Sequence, residues 1–115
     1  KLFDDAVSYA FYPVDLHTKT GVRPKPLKRG IVPSIPLGAL VPQGSRNLIV
    51  AGRCVSSDRL ANSGLRVQAS CMGMGQAAAA AATLAAQGNT TPSEVPLEQI
   101  HGLLKKHGAI IPGKA

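Results

Sequence analysis

The feature that most constrains this chain is a run of 23 residues, Leu65 to Gln87, that holds no proline and no acid and consists mainly of Ala and Gly. Gly88-Asn89 closes it, so the run reads as one helix of about 35 Å at about 1.5 Å per residue. Gly73 and Gly75 weaken the helix. Ala69, Gly73, Ala77 and Ala81 recur every four positions and form a smooth stripe that another backbone can approach closely. Such a stripe needs a surface to press against. The run is long enough to span a bilayer, but Arg66, Gln68, Ser70 and Gln76 and its small side chains argue against a transmembrane segment.

The sequence on either side obeys different rules. Six of the nine prolines lie at or before Pro42, so the first part must be extended segments and turns, because proline removes a donor and cannot continue a helix. Tyr12 to His17 alternates, with Tyr12, Val14 and Leu16 on one face of a half-buried strand. Ile35 to Val41 is a second strand candidate. Asn47 to Ala51 follows the turn Gln43-Gly44-Ser45-Arg46 and is apolar on both faces, which predicts a central strand covered on both sides and ended by Gly52. Downstream, Thr91-Pro92-Ser93-Glu94 has capping-box spacing for one short turn. Pro96 then opens a helix through His107, with Leu97, Ile100 and Leu104 inward and Gly108 as its stop. The order predicts an α/β chain: extended strands, a long Ala-rich helix, a shorter terminal helix. No internal repeat is present.

With 115 residues this is one domain at most. Hydrophobic content of 44% and charged content of 17% exclude a highly charged disordered tail. The core is thin, however, because only four side chains are aromatic and sixteen are Ala, each burying a methyl worth about 0.8 kcal/mol. The expectation is a chain that needs a neighbour and self-associates when alone. It begins at Lys1 rather than Met and has no leader pattern, so residue 1 is not expected to be the natural start.

The net charge is +7, and Lys19, Arg23, Lys25, Lys28 and Arg29 lie in a stretch free of acids from Asp15 to Asp58. That stretch would attract phosphates or an acidic partner. Prolines break it and it has no aromatic to stack on bases, so nucleic-acid binding is not expected and a solvated loop is the plainer reading. Two cysteines, Cys54 and Cys71, are too few for a disulfide scaffold and suit a reduced interior, which favours a cytoplasmic setting without fixing it. With His17, His101 and His107 they give no metal-ligand spacing. Ser56, Ser57, Asp58 and His17 can be drawn as a hydrolase triad, but no G-x-S-x-G turn supports one.

Gly73-Met74-Gly75-Gln76-Ala77-Ala78 matches the dinucleotide pattern G-x-G-x-x-A, yet no acid follows at the distance a ribose contact needs. Glycines in a closely packed helix explain it better. A different constellation is stronger: the apolar segment Val50-Ala51 ends in Gly52-Arg53, and a loop later the long helix begins at Leu65-Arg66-Val67. Unpaired N–H groups at a helix start beside two guanidinium groups make an anion site, for a phosphate, a carboxylate or a ring that becomes anionic on reduction. The alternative is that Arg53 and Arg66 merely pair with acids elsewhere.

The segment NLIVAGRCVSS followed by LRVQASCMGMGQAAAAAATLA closely resembles the C-terminal flavin-contacting part of a large family of bacterial FAD-dependent oxidoreductases. That family has an N-L-hydrophobic-V-A-G-R-C segment and then an R-V-x-x-x-C-M-x-x-G-Q-A-A helix. Tyr12-Pro13-Val14-Asp15-Leu16-His17 is similar to its Y-P-hydrophobic-D-hydrophobic-H segment, and Ile35 to Pro42 to its I-P-Y-x-x-L-V-P, from which Leu37 and Gly38 depart. Thr91 to Gly108 is similar to its closing turn and helix. Ala79 stands where the family has Gly, and Asp58 to Ser63 is less typical, which puts substrate-side contacts there in doubt.

The resemblance implies a C-terminal fragment of a FAD-dependent oxidoreductase. Residues 1–45 would be strands of the substrate-side region, and residues 46–115 the last part of the FAD-binding region. The Gly-rich FAD fingerprint would lie in the remainder of its own chain, and this portion alone would be inactive. Gly52 and Arg53 would approach the ribityl or pyrophosphate part of FAD, while Arg66 and the backbone of Val67, Gln68 and Ala69 face the pyrimidine end. The substrate is an unidentified small molecule, and no catalytic base is named. The alternative from another class is a small basic module that binds an anionic partner through Lys19 to Arg29.

Overall fold

In the computed structural model of the chain, which describes residues 2–113, two short antiparallel ribbons lead into three helices. Strand β1 (Ala6–Tyr9) pairs with β4 (Ser34–Pro36), with Ser8 opposite Ile35 and Tyr9 opposite Ser34 and an irregularity between Ala6 and Ser8. Between them the chain runs out into an exposed arm. Val14 and Lys25 exchange both backbone bonds at 2.9 and 2.8 Å. Beyond that bridge, β2 (His17–Thr18) and β3 (Gly21–Val22) close a hairpin over Lys19-Thr20. Gly21, at φ +113°, supplies the turn conformation that other residues resist, and the Thr18 hydroxyl donates to its carbonyl at 2.6 Å.

Helix α1 (Arg59–Leu65) starts at Asp58, whose carboxylate accepts from the Ala61 N–H at 2.7 Å. Helix α2 (Gln68–Gln87) is the Ala-rich element, and α3 (Leu97–Lys106) ends at Gly108 with φ +76°. Met74, Ala77, Ala81 and Ala85 on α2 meet Val7, Ile35 and Leu40 on one side and Ile100 and Leu104 of α3 on the other. Ile35, Leu40, Met74 and Ile100 are the largest fully buried apolar side chains.

The small residues do in space what their spacing requires. A Cβ on Gly73 would collide with the Ser8 hydroxyl of β1, whereas one on Gly75 would meet nothing within 4 Å. Gly73 therefore permits the close approach of α2 to β1. Both glycines lie inside α2, with no strand leading into a Gly-rich turn, so the G-x-G-x-x-A match is helix packing. Ala77 and Ala81 of the stripe are buried, but Ala69 is exposed, so the stripe's first turn is open.

The structure corrects four expectations. The long run is not one helix from Leu65: Val67 is extended at φ −76°, ψ 152°, which separates α1 from α2. Its β-branched side chain tolerates that conformation well. The Ser70 hydroxyl donates to the Gly64 carbonyl at 2.7 Å and the Cys71 thiol to the Leu65 carbonyl at 3.5 Å, so side chains of α2 satisfy the carbonyls that α1 leaves unpaired. Tyr12 to His17 is mostly irregular, joined to the arm only at the Val14 bridge and at His17, because Pro13 offers no donor. Ile35 to Val41 keeps strand form only through Pro36 and then makes a 3-10 turn over Leu37–Ala39.

Asn47 to Ala51 is not a strand. Its Val50 N–H donates to the Leu40 carbonyl at 2.8 Å, and no strand flanks it among the described residues. Ile49, Val50 and Ala51 pack on the core only in part, and Leu48 is half exposed. A segment that is apolar on both faces needs cover on both, and the described residues cover its side chains only in part.

The body is loose. Its radius of gyration is 14.7 Å, where a compact chain of this length has about 13 Å. It exposes 7875 Å², against about 6,000 Å² expected of a compact monomer of this size.

Candidate anion and flavin site

The junction between α1 and α2 brings together the chemistry singled out above. Arg66 is the C-cap of α1, and its N–H donates to the Asn62 carbonyl at 3.1 Å. Val67, as N-cap of α2, offers no side chain to the first turn. The N–H groups of Gln68, Ala69 and Ser70 find no acceptor among the described residues; the first intrahelical bond of that turn is Cys71 N–H to Val67 C=O at 3.0 Å. Gln68 and Ala69 are exposed, so their donors stand open at the positive end of a 20-residue helix, whereas Ser70 is buried.

The Arg66 guanidinium does not point away into solvent. Its Nη2 donates to the Asp15 carboxylate Oδ2 at 3.1 Å and to the Asp15 main-chain carbonyl at 3.2 Å, a link across 51 residues. The alternative of pairing with an acid thus holds for Arg66 and not for Arg53, which is exposed and makes no ion pair among the described residues. Asp15 is largely buried, at 16% side-chain exposure, and its Oδ1 is sealed from solvent with no hydrogen-bond partner. His17 Nε2 lies 3.9 Å from Oδ2. Arg59 Nη2 donates to the His17 carbonyl at 3.0 Å, so the first residue of α1 and its C-cap Arg66 together hold the segment Asp15–His17.

Gly52 has φ +92° with open space on its Cα, which lets the chain turn sharply out of Val50-Ala51 before Arg53. The exposed Cys54 thiol donates to the Ala51 carbonyl at 3.2 Å and steadies that turn. Both cysteines are free. Among the described residues no three His, Cys, Asp or Glu side chains are placed to hold a metal ion. None of the described helices is long and apolar enough to cross a membrane.

A cleft of about 620 Å³ lies elsewhere along the same junction. It is mostly apolar, walled by Tyr12 and Val14 of the arm, by Ser56 and Ser57, and by Leu60 and Ser63 of α1. None of Gly52, Arg53, Arg66, Val67, Gln68 or Ala69 lines it. Asp58 reaches it too, but with its carboxylate committed to capping α1. His101, one of the ligand candidates weighed from sequence, donates from Nε2 to the Ala6 carbonyl at 2.7 Å and ties α3 to β1. Sequence reasoning missed α1, β1 and the Asp15–Arg66 pair. Asp58 at cap position was the available signal for α1; nothing local marks a pair 51 residues apart.

These donors fit an anionic cofactor such as a flavin nucleotide: the exposed N–H groups of Gln68 and Ala69 at a helix start and the exposed Arg53 after a glycine turn are all open to one. A family model for FAD dependent oxidoreductases matches residues 1–104. No curated protein and no solved structure matches the chain. Spanning arm, junction and most of α3, the family match shows that this chain belongs to the FAD dependent oxidoreductases.

Proposed function

We infer that the chain is the C-terminal portion of a FAD-dependent oxidoreductase and that it completes the flavin pocket. Residues 1–45 contribute to the substrate side, and residues 46–115 close the FAD-binding region. The observation that carries the reading is the open, uncapped start of α2 directly after Arg66. FAD, when bound, supplies the electron-transfer chemistry. This chain's residues bind and orient it. Gly52 allows the backbone to turn close to the ribityl or pyrophosphate part, and Arg53 offers its charge to a phosphate. Arg66 and the backbone of Val67, Gln68 and Ala69 face the pyrimidine edge, where the guanidinium and the N–H groups of Gln68 and Ala69 favour negative charge on the reduced ring.

The surplus of exposed surface, about 1,900 Å² beyond a compact monomer's, supports a partner that covers this body. On this reading the partner is the remainder of its own chain, with the adenosine-binding half of the pocket. The half-covered segment Asn47 to Ala51 then takes its missing neighbours from that remainder. Phe11, Met72 and Ile110, each more than two-thirds exposed, would make the 115-residue piece self-associate, and without that remainder it would be inactive alone.

The test is a comparison of flavin retention. The full-length protein should be purified with yellow, bound FAD, and Arg53→Ala should raise the FAD dissociation constant about tenfold, the loss of one charge-assisted contact of about 1.4 kcal/mol. A colourless full-length protein that still binds polyanions through Lys19 to Arg29 would refute the reading.

A further inference from the structure

Asp15 is buried at a cost that hydrogen bonding does not recover. Its Oδ2 accepts from Arg66, but its Oδ1 is shut away from solvent and has no partner. A native carboxylate left half unsatisfied calls for a reason. Because Oδ1 is sealed, it is not available to a ligand. The same residue also gives its main-chain carbonyl to the same Nη2 atom, so both acceptors converge on one nitrogen of Arg66. Arg66 is fixed from the other end as well, since its backbone is the last turn of α1 and the residue after it opens α2. The other N–H groups of its guanidinium have no acceptor among the described residues.

We propose that Asp15 is a positioning residue that holds the Arg66 guanidinium at the open start of α2, with its remaining donors free for the flavin. This rests on the placement of Arg66 beside the flavin given above. Asp15 does not touch the cofactor; it acts through Arg66. An arginine side chain has many rotamers, and a free one would spend little of its time in a single place beside the ring. His17, 3.9 Å from Oδ2, and Arg59, which grips the His17 carbonyl, keep Asp15 itself in place.

The experiment is a double-substitution cycle on the FAD-loaded full-length protein, read by the midpoint potential of the flavin. Arg66→Ala should lower the ratio of reduced to oxidised flavin at a fixed potential about tenfold, which is about 30 mV for a two-electron couple. In an Asp15→Ala or near-isosteric Asp15→Leu background, the same Arg66→Ala change should move the ratio less than threefold, because Arg66 is no longer held. Asp15→Asn keeps a carbonyl acceptor and should preserve most of the Arg66 effect. A merely structural Asp15 would lower the melting temperature but leave the Arg66 effect tenfold in every background, and that result overturns the proposal while the flavin reading stands. If Arg66→Ala leaves the potential unchanged beside native Asp15 with FAD fully bound, the flavin reading itself fails at this residue.

Discussion

Two glycines two residues apart in α2 should respond in opposite directions to the same substitution. Gly→Ala in a helix gains about 0.8–1 kcal/mol of propensity. At Gly75 a new methyl meets nothing within 4 Å, so Gly75→Ala should stabilise by about 0.5–1 kcal/mol. At Gly73 the methyl runs into the hydroxyl of Ser8, a buried residue of β1. Overpacking of that kind costs about 1–3 kcal/mol, which outweighs the propensity gain and leaves Gly73→Ala destabilised by up to about 2 kcal/mol. Only Oγ is in the way, since Ser8 Cβ lies at an ordinary 3.5 Å from the same point. Adding Ser8→Ala should therefore recover most of the loss and give a coupling of about 1 kcal/mol or more. Urea unfolding followed by circular dichroism at an unchanged m-value measures all three variants. If Gly73→Ala raises the midpoint as far as Gly75→Ala does, the close approach of α2 to β1 is wrong.

Glu94 accepts from the Thr91 hydroxyl at 2.7 Å, the Thr90 hydroxyl at 2.8 Å and the Thr91 N–H at 3.1 Å, and these bonds lower its pKa from 4.5 to about 2. The depressed value means the turn's contribution is whole above pH 4.5 and lost as pH falls towards 2; a carboxyl-carbon titration by NMR with its midpoint near 4.5 would contradict it. His101→Ala should destabilise by about 1–2 kcal/mol, because it strands the Ala6 carbonyl that joins β1 to α3. Thermal unfolding checks this, and an unchanged melting temperature would show that the bond is not made.

Legibility followed the range of the interaction. The turn at Thr91 to Glu94 and the helix after Pro96 depend on neighbours within four residues; the helix stands, and of the capping box the Glu94 half is made, its carboxylate accepting from the Thr91 N–H while the Glu94 N–H donates to the Thr91 main-chain carbonyl. The packing role of Gly73 was legible too, because a small residue in a helical period needs only a close surface, whatever that surface is. Side chains alone read Asn47 to Ala51 as a strand, but a strand is a relation between two segments, and no described segment pairs with it. The break at Val67 lay hidden inside a helical pattern because what stabilises it is a pair of side chains from the next turn reaching back to Gly64 and Leu65. At the site, Arg66 and Gly52 were visible as residue types in order. Asp15 became meaningful only when folding brought it from the arm to the helix junction.

Flavin at the start of α2 should be visible in hydrogen exchange of the full-length protein with and without FAD. The exposed N–H groups of Gln68 and Ala69 have no acceptor in the described chain and should exchange fast in the FAD-stripped full-length protein. Loading FAD should slow a peptide spanning Leu65 to Cys71 at least tenfold, while one spanning Leu97 to Lys106 stays as it was. If FAD binds fully and the Leu65 to Cys71 peptide exchanges no more slowly, the flavin is not at this helix start.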